Sequence, residues 1–224
     1  ANFTAEQRGR VKCSKSEENE AKEQVDITRF YTENSWIWIL GIGTTSYPCM
    51  LDFVQSATKT SALFDRYYQE QQRLQKKWLV GEFTNKDSQD STYNAMEVSA
   101  KQPNERPSSG SWNSTEVMVL ESGDENCALF YVTYYERPSS VPKKQMKKNT
   151  GLMRQGPVRE INFRVKNGIN EAEVETCVQE LEAQRKLGGV AEIPKLLDNC
   201  KKTCQEDRLC SPALKNADDS ASSK

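Results

Sequence analysis

Apolar residues occupy successive positions along residues 127–136, which we predict to form a β-strand. Leu129 and Tyr131 fall on one face of that strand, and Phe130 and Val132 fall on the other. Because both faces carry large apolar side chains, both must be covered by other parts of the protein. The pattern therefore predicts a central strand rather than an edge strand.

Seven further runs of β-forming residues lie before and after this strand, and polar turns separate them. They occupy residues 35–40, 49–54, 62–68, 78–83, 95–99, 115–120 and 158–165. Eight strands in simple succession are the number expected of a small up-and-down barrel that can hold one ligand. The sequence therefore predicts an all-β fold built as an eight-stranded up-and-down barrel.

One amphipathic helix is predicted after the last strand. Asn170 is a good N-cap residue, and Glu173 lies at the position that completes a capping box. One apolar stripe at helical spacing follows, made of Val174, Cys177, Val178 and Leu181. Glycines at 188 and 189 end the helix. We expect its apolar stripe to pack against the outside of the barrel wall.

The flanks of the chain differ in composition from the predicted barrel. Residues 1–22 are charged and poor in apolar side chains, so we predict an N-terminal extension, with the folded domain at residues 23–204. Residues 205–224 are predicted to form a disordered tail. The chain starts at Ala1 without a signal sequence, as expected of a mature secreted protein. It has no run of about 18 apolar residues, so no transmembrane helix is predicted.

Charge and composition exclude several classes of function. The 31 basic and 32 acidic residues give a net charge of −1, which provides no field to attract nucleic acid or a membrane surface. The chain contains no histidine. Ser-His-Asp and Cys-His catalytic groups, and the common zinc sites that use imidazole, therefore cannot form. We expect a binding protein rather than an enzyme, with no cofactor and no metal ion.

Seven cysteines are typical of a disulfide framework outside the cell. The odd number leaves one cysteine free or bonded to another chain. Cys200, Cys204 and Cys210 could offer three thiolates to zinc, but no fourth ligand lies near them, so disulfides are the favoured interpretation. Sequons at Asn2 and Asn113 are candidate glycosylation sites and agree with secretion.

Two other motifs have ordinary interpretations. Residues 41–46 partly match a dinucleotide-binding loop, but Tyr47 and Pro48 replace the helix that would hold the phosphates, so a turn is favoured. The basic run at residues 143–148 could bind an acidic partner such as heparin. A solvated loop is the favoured interpretation of that run.

Aromatic and charged residues within the strands are candidates for the barrel interior. The aromatic and methionine candidates are Trp38, Phe53, Tyr67, Trp78, Met118 and Phe163, which would be solid core if the barrel is not hollow. The carboxylate candidates are Asp52, Asp65, Glu82, Glu116 and Glu160, each of which singly favours a solvent-facing position because an unpaired buried carboxylate is costly. Asn162 and Arg164 share a strand face with Glu160. A register error of one residue would exchange the two faces of any strand.

Four sequence segments together resemble a known family. They are residues 124–127, which lead into the central strand, residues 159–163, residues 172–177, and residues 198–200, which close the domain. With these segments the chain resembles the tick salivary lipocalins of the histamine-binding type, over residues 36–200. The resemblance implies disulfides between Cys49 and Cys200 and between Cys127 and Cys177. It leaves Cys13, Cys204 and Cys210 for a third bridge and one spare cysteine.

The resemblance also implies a function, because that family scavenges host mediators such as histamine, serotonin and leukotrienes, and some members block complement proteins. We therefore expect a secreted lipocalin that sequesters a biogenic amine. Glu160 keeps the acidic position that would meet an ammonium group, whereas Ala128 and Asn162 depart from the amine-binding pattern. The alternatives are a lipid such as leukotriene B4, whose carboxylate Arg164 would hold, and a host protein bound by the loops, notably residues 137–157.

The same resemblance predicts which strand faces point inward. It places Glu160, Asn162 and Arg164 in the interior, and counting back from Cys127 adds Glu116, Met118 and Leu120. Two carboxylates and one arginine would leave about one carboxylate for a cationic ligand. Trp38, Tyr67 or Trp78 would pack against the ring of that ligand.

Overall fold

Eight antiparallel strands close into a barrel in the computed structural model, which describes residues 25–70, 73–86, 92–100, 112–135, 156–185, 188–212 and 215. Each strand pairs with the next along the chain, and the last pairs with the first. The strands are β1 (Trp36–Ile42), β2 (Cys49–Ala57), β3 (Ser61–Glu70), β4 (Arg73–Thr84), β5 (Ala95–Ala100), β6 (Asn113–Glu121), β7 (Cys127–Tyr134) and β8 (Val158–Lys166). The predicted all-β, up-and-down barrel is confirmed.

The predicted C-terminal helix is also confirmed. It is α2 (Glu171–Gln184), which follows the short helix α1 (Ile27–Phe30) in the chain. Asn170 Oδ1 accepts a hydrogen bond from the Glu173 backbone N–H at 3.0 Å, and Glu173 Oε2 accepts one from the Asn170 N–H at 2.6 Å. This is the predicted capping box. All four residues of the predicted stripe are buried against the barrel.

A second C-terminal helix, α3 (Ile193–Glu206), was not predicted. Its buried residues are Ile193, Leu197, Cys200 and Cys204, spaced as one helical stripe among exposed polar residues. A disulfide between Cys204 and Cys210 holds the turn that follows the helix. Ordered structure therefore extends past the predicted boundary at residue 204, because residues 205 and 206 belong to α3 and Cys210 is bonded to Cys204. No helix in the described part of the chain is long and apolar enough to cross a membrane.

Two apolar clusters share the barrel wall. The inner cluster fills the barrel, and the buried side chains of α1 belong to it, so α1 closes one end of the barrel. The outer cluster lies between the wall and the helices α2 and α3. Strands β1 and β8 contribute to both clusters, because alternate side chains point to opposite faces. The outer face of the wall is therefore apolar where the helices cover it, whereas the inner face also carries buried polar and charged residues.

Two disulfides join the helices to the barrel, and a third joins α3 to the segment that follows it. Cys49 of β2 bonds Cys200 of α3, and Cys127 of β7 bonds Cys177 of α2. Both pairings are the ones that the family resemblance implied. Because Cys204 bonds Cys210, only Cys13 of the seven cysteines remains, and it lies outside the described residues.

Several predictions concern residues outside the described ranges. These are the N-terminal extension at residues 1–22, the sequon at Asn2, the basic run at residues 143–148, and most of the loop at residues 137–157. The second sequon, at Asn113, lies exposed at the start of β6. Its glycosylation stays a prediction.

The disulfides should differ in their contributions to stability. The bond between Cys127 and Cys177 spans 50 residues, and the bond between Cys204 and Cys210 spans 6. Loop entropy then gives about 4 kcal/mol for the first and about 2 kcal/mol for the second. We expect Cys127→Ala/Cys177→Ala to lower the free energy of unfolding in urea by more than Cys204→Ala/Cys210→Ala does. Equal losses would contradict this account.

Candidate functional site

Three of the predicted cavity residues face away from the barrel interior. Trp38 and Tyr67 pack in the outer cluster beneath α3, and Phe53 stacks on Trp36 with 4.4 Å between the ring centroids. The pairing register explains the difference, because Asp52 and Arg66 lie directly opposite each other on the inward faces of β2 and β3. Their neighbours along each strand must then point outward. The prediction that these three aromatic residues line a cavity was wrong.

Other candidates also lie on the outside. Trp78 is 42% exposed and Glu82 is exposed, both on the outer face of β4. Phe163 belongs to the outer cluster. Leu120 packs against the same cluster, because a bulge after Met118 shifts the alternation of side chains in β6. The inward placement predicted for Trp78 and Leu120 was therefore wrong, whereas Glu82 takes the solvent-facing position that the sequence favoured and is not a candidate for the interior.

The remaining candidates do face the interior. Glu116, Met118, Asn162 and Arg164 are buried inside the barrel, and Glu160 lies near the end opposite α1 with 7% exposure. The inward face that the resemblance assigned to β8 is thus confirmed. Whether these residues contact a ligand stays a prediction.

An ion network crosses the middle of the barrel. Arg66 Nε donates to Asp52 Oδ1 at 2.8 Å, and Arg66 Nη1 donates to Glu116 Oε1 at 2.7 Å. Arg164 Nη2 forms a second salt bridge to Glu116. The Tyr31 hydroxyl donates to Asp52 Oδ2 at 3.0 Å and accepts from Arg164 Nη1 at 2.5 Å. All four charged side chains are fully buried.

This network is electrically balanced, because two guanidinium groups meet two carboxylates. Burial alone would raise the pKa of Glu116, but the charges of Arg164 and Arg66 outweigh it and lower that pKa to about 2. Glu116 therefore stays ionised and paired. Only one interior arginine was expected from the sequence, and the pairing of Arg66 with Asp52 and Glu116 was not predicted. The carboxylate left free for a ligand is therefore not Glu116.

Tyr31 and Arg66 carried little signal in the sequence. Arg66 lies within an apolar strand run, where a charged residue most simply points to solvent. Opposite charges at Asp52 and Arg66 on neighbouring strands were visible, but only the pairing register shows that the two side chains meet. Tyr31 comes from the segment before β1, whose position in the barrel no local pattern predicts.

An aromatic cluster lies at the end of the barrel opposite α1, and we call this end the mouth. The mouth cluster consists of Tyr47, Tyr68, Trp112 and Tyr134. Tyr47 stacks on Trp112 with 5.4 Å between centroids, and Tyr68 and Tyr134 contact both rings at steep angles. Such a group offers π-faces and ring edges to an aromatic or cationic ligand.

Glu160 is the carboxylate at the mouth. It accepts hydrogen bonds from the Thr45 hydroxyl at 2.6 Å and from the Ser46 N–H at 2.7 Å. These bonds fix the loop between β1 and β2, which carries Tyr47. None of the described basic residues forms a salt bridge with Glu160, unlike Asp52 and Glu116. A carboxylate that accepts two hydrogen bonds still has lone pairs for another donor.

Gly41 makes room for this loop. A Cβ atom at Gly41 would lie 2.7 Å from Thr45 Oγ1 and closer still to the Thr45 methyl group. The short distance allows the loop to fold back over the strand end, where the Gly41 N–H donates to the Pro48 carbonyl at 3.0 Å. The glycine in the partial dinucleotide motif therefore serves a turn, as expected.

A small cavity lies outside the barrel, between Tyr67, Trp38 and the disulfides of α3. Its volume of about 50 Å³ is well below the roughly 150 Å³ of a protein cavity that accepts benzene. Cys200, Cys204 and Cys210 are all oxidised there, so they offer no thiolate to zinc. The predicted disulfide interpretation of these cysteines is confirmed.

No protein-family model matches the chain, and no curated protein matches it either. The closed eight-stranded barrel is consistent with a lipocalin-like ligand-binding fold. The chemistry of the site must therefore be argued from the interior residues themselves.

The ion network predicts a specific acid sensitivity. The pKa of Glu116 is lowered from 4.5 to about 2 on folding, so below about pH 4.5 the unfolded chain binds a proton that the folded protein does not. Stability should fall as the pH drops from 4.5 to 2, with a contribution from Glu116 of about 3 kcal/mol. Urea unfolding across that range measures it.

The Glu116→Gln variant tests the assignment of this loss to one residue. It should lose about 3 to 5 kcal/mol at neutral pH, because it leaves buried guanidinium charge without its partner. Its free energy of unfolding should also fall less between pH 4.5 and 2 than that of the wild type does. The control Glu82→Gln changes an exposed carboxylate and should keep the wild-type profile. An unchanged acid profile in Glu116→Gln would contradict the proposed network.

Proposed function

We propose that this protein is a secreted, non-enzymatic salivary lipocalin of the histamine-binding type. It sequesters a small biogenic amine such as histamine or serotonin at the mouth of the barrel. The observation that carries the proposal is Glu160, a nearly buried carboxylate beside an aromatic cluster that no described cation neutralises. No chemical step is needed for such a function, since binding alone removes the mediator from solution.

The ion network supports the mouth as the binding position. In the middle of the barrel every charged side chain already has partners of opposite charge, so an ammonium group there would compete with two guanidinium groups. At the mouth, Glu160 offers negative charge without such a competitor among the described residues. A low-polarity surround strengthens an ion pair at that position.

The aromatic partners of the ligand differ from those the sequence indicated. Tyr47, Tyr68 and Tyr134 replace Trp38, Tyr67 and Trp78 as the rings within reach of the interior. Their faces and edges suit an imidazole or indole ring, and their π-systems suit the attached cation. An aromatic residue at position 162 is therefore not needed for stacking. The departure of Asn162 from the amine-binding pattern then no longer argues against an amine ligand.

The cysteine framework supports the family assignment. The two disulfides that the resemblance implied are both present, and three disulfides in one chain are typical of an extracellular protein. The lipid alternative loses support because both terminal nitrogens of Arg164 are already bonded, to Tyr31 and to Glu116. Only Arg164 Nε has no partner among the described residues, so a lipid carboxylate could not form a bidentate pair without competing with Glu116 or Tyr31.

Replacement of Glu160 tests the amine proposal directly. We expect Glu160→Gln to weaken the binding of histamine or serotonin by about 1.5 to 3 kcal/mol, the scale of a hydrogen bond to a charged group. Isothermal titration calorimetry on the full chain measures this change. The matched control is Glu82→Gln, which removes a carboxylate from the outer face and should bind as wild type does.

Three results would contradict the proposal in different ways. Equal amine affinity in Glu160→Gln and wild type would remove the role of Glu160. Tight binding of leukotriene B4, lost in Arg164→Ala, with no heat from either amine would favour the lipid alternative. The absence of a binding signal with histamine, serotonin and leukotriene B4 would favour a host protein as the partner.

A further inference from the structure

Two buried polar groups at the site have no hydrogen-bond partner among the described residues. They are the Tyr134 hydroxyl and the Asn162 amide nitrogen Nδ2. Tyr134 is 3% exposed and Asn162 is fully buried. Nearly all buried side-chain polar atoms in folded proteins have a partner, because leaving one unpaired costs free energy. Two such atoms in one interior therefore point to a missing acceptor.

Both groups lie on the inner wall near Glu160, where the strand register pairs Val132 with Glu160 and Tyr134 with Val158. On β8, Asn162 is the inward residue between Glu160 and Arg164. Tyr134 reaches inward from the neighbouring strand β7. Burial, followed by the charges of Glu116 and then Glu160, raises the pKa of Tyr134 well above its usual range. The hydroxyl group therefore stays protonated and can donate a hydrogen bond.

A third unpartnered donor lies beside them. Arg164 Nε has no acceptor among the described residues, although both terminal nitrogens of that guanidinium are bonded. Asn162 Nδ2 and Arg164 Nε can only donate, and the Tyr134 hydroxyl can donate as well. The interior below Glu160 is therefore rich in donors and short of acceptors.

We propose that the site selects amines that carry a hydrogen-bond acceptor at the end remote from the ammonium group, and that Tyr134 and Asn162 determine this selectivity. The acceptor is a hydroxyl oxygen, as in serotonin, or an unprotonated ring nitrogen, as in histamine. The inference rests on the proposed function, since it assumes that the ammonium group binds Glu160. The ring then lies against the mouth cluster, and the acceptor atom points toward the interior donors.

Because the donors are buried and unpaired, the site should discriminate strongly against amines that lack an acceptor. An amine without such an acceptor would bury Tyr134 and Asn162 beneath its ring and leave them unpaired. A site built to hydrogen-bond a polar group on the ligand rejects the analogue that lacks that group, because the buried protein atoms then lose their partner. The same site tolerates differences in the ring itself, since aromatic contacts depend mainly on shape.

Matched pairs of amines test the selectivity by calorimetry on the full chain. Serotonin and tryptamine differ by one hydroxyl, as do tyramine and phenethylamine. Wild type should bind at least one hydroxylated member about tenfold more tightly than its partner. Tyr134→Phe and Asn162→Leu should each reduce that ratio, by weakening the hydroxylated amine and leaving the other amine unchanged.

The stability of the free protein gives an independent readout. Tyr134→Phe removes a hydroxyl that has no partner among the described residues, so its melting temperature should equal or exceed that of wild type. The matched control is Tyr31→Phe, which removes a hydroxyl with two hydrogen bonds and should lower the melting temperature. A loss in Tyr134→Phe as large as that in Tyr31→Phe would overturn the assignment of Tyr134 as an unpartnered donor.

The outcomes separate this inference from the proposed function. Equal affinities for both members of each pair, with Glu160→Gln still weakening them, would overturn the selectivity and leave amine binding standing. In that case water satisfies the interior donors. Failure of all four amines to bind wild type would overturn the proposed function, and the selectivity with it.

Discussion

The arrangement of the barrel depends on the guanidinium group of Arg66. From β3 it reaches Asp52 on the adjacent strand and Glu116 on β6 across the interior. Arg164 on β8 and Tyr31 next to α1 complete the network, which therefore connects elements from all sides of the barrel. Each charge is fully buried, so the loss of one member leaves an uncompensated charge in a medium where that is costly.

The two ends of the barrel have different chemistry because of this network. At one end, Tyr31 bonds both Asp52 and Arg164, and so fixes α1 as a plug in the inner cluster. At the other end, Glu160 bonds the loop that carries Tyr47. In the proposed function, a carboxylate that both holds the loop and faces the interior would couple the charge of the ligand to the position of an aromatic ring. Binding an ammonium group would thus change the electrostatics at the point where the loop is fastened.

The sequence predicted the elements better than it predicted their orientation. Alternation along a strand shows that there are two faces, but it does not say which face is inner. Helices α2 and α3 pack on the outside of β1, β2 and β7. Trp38 and Phe163 in the outer cluster are therefore as buried as core residues are on the inner face. Apolar character therefore gave no guide to orientation. Arg66 departs from the usual rule that charged side chains face solvent, because its side chain points into the barrel.

Glu116 links the ion network to the mouth by a short chain of hydrogen bonds. The Trp112 indole N–H donates to the Ser114 hydroxyl at 3.0 Å, and that hydroxyl donates to Glu116 Oε1 at 3.0 Å. The Arg66 guanidinium also lies 5.1 Å from the Trp112 ring centroid, within the range of a cation–π contact. The charged groups thus hold in place a ring of the mouth cluster. Because the network is neutral as a whole, it holds this ring without adding a net charge that would attract or repel a ligand. Discrimination among ligands in the proposed function would therefore depend on short-range contacts at the mouth.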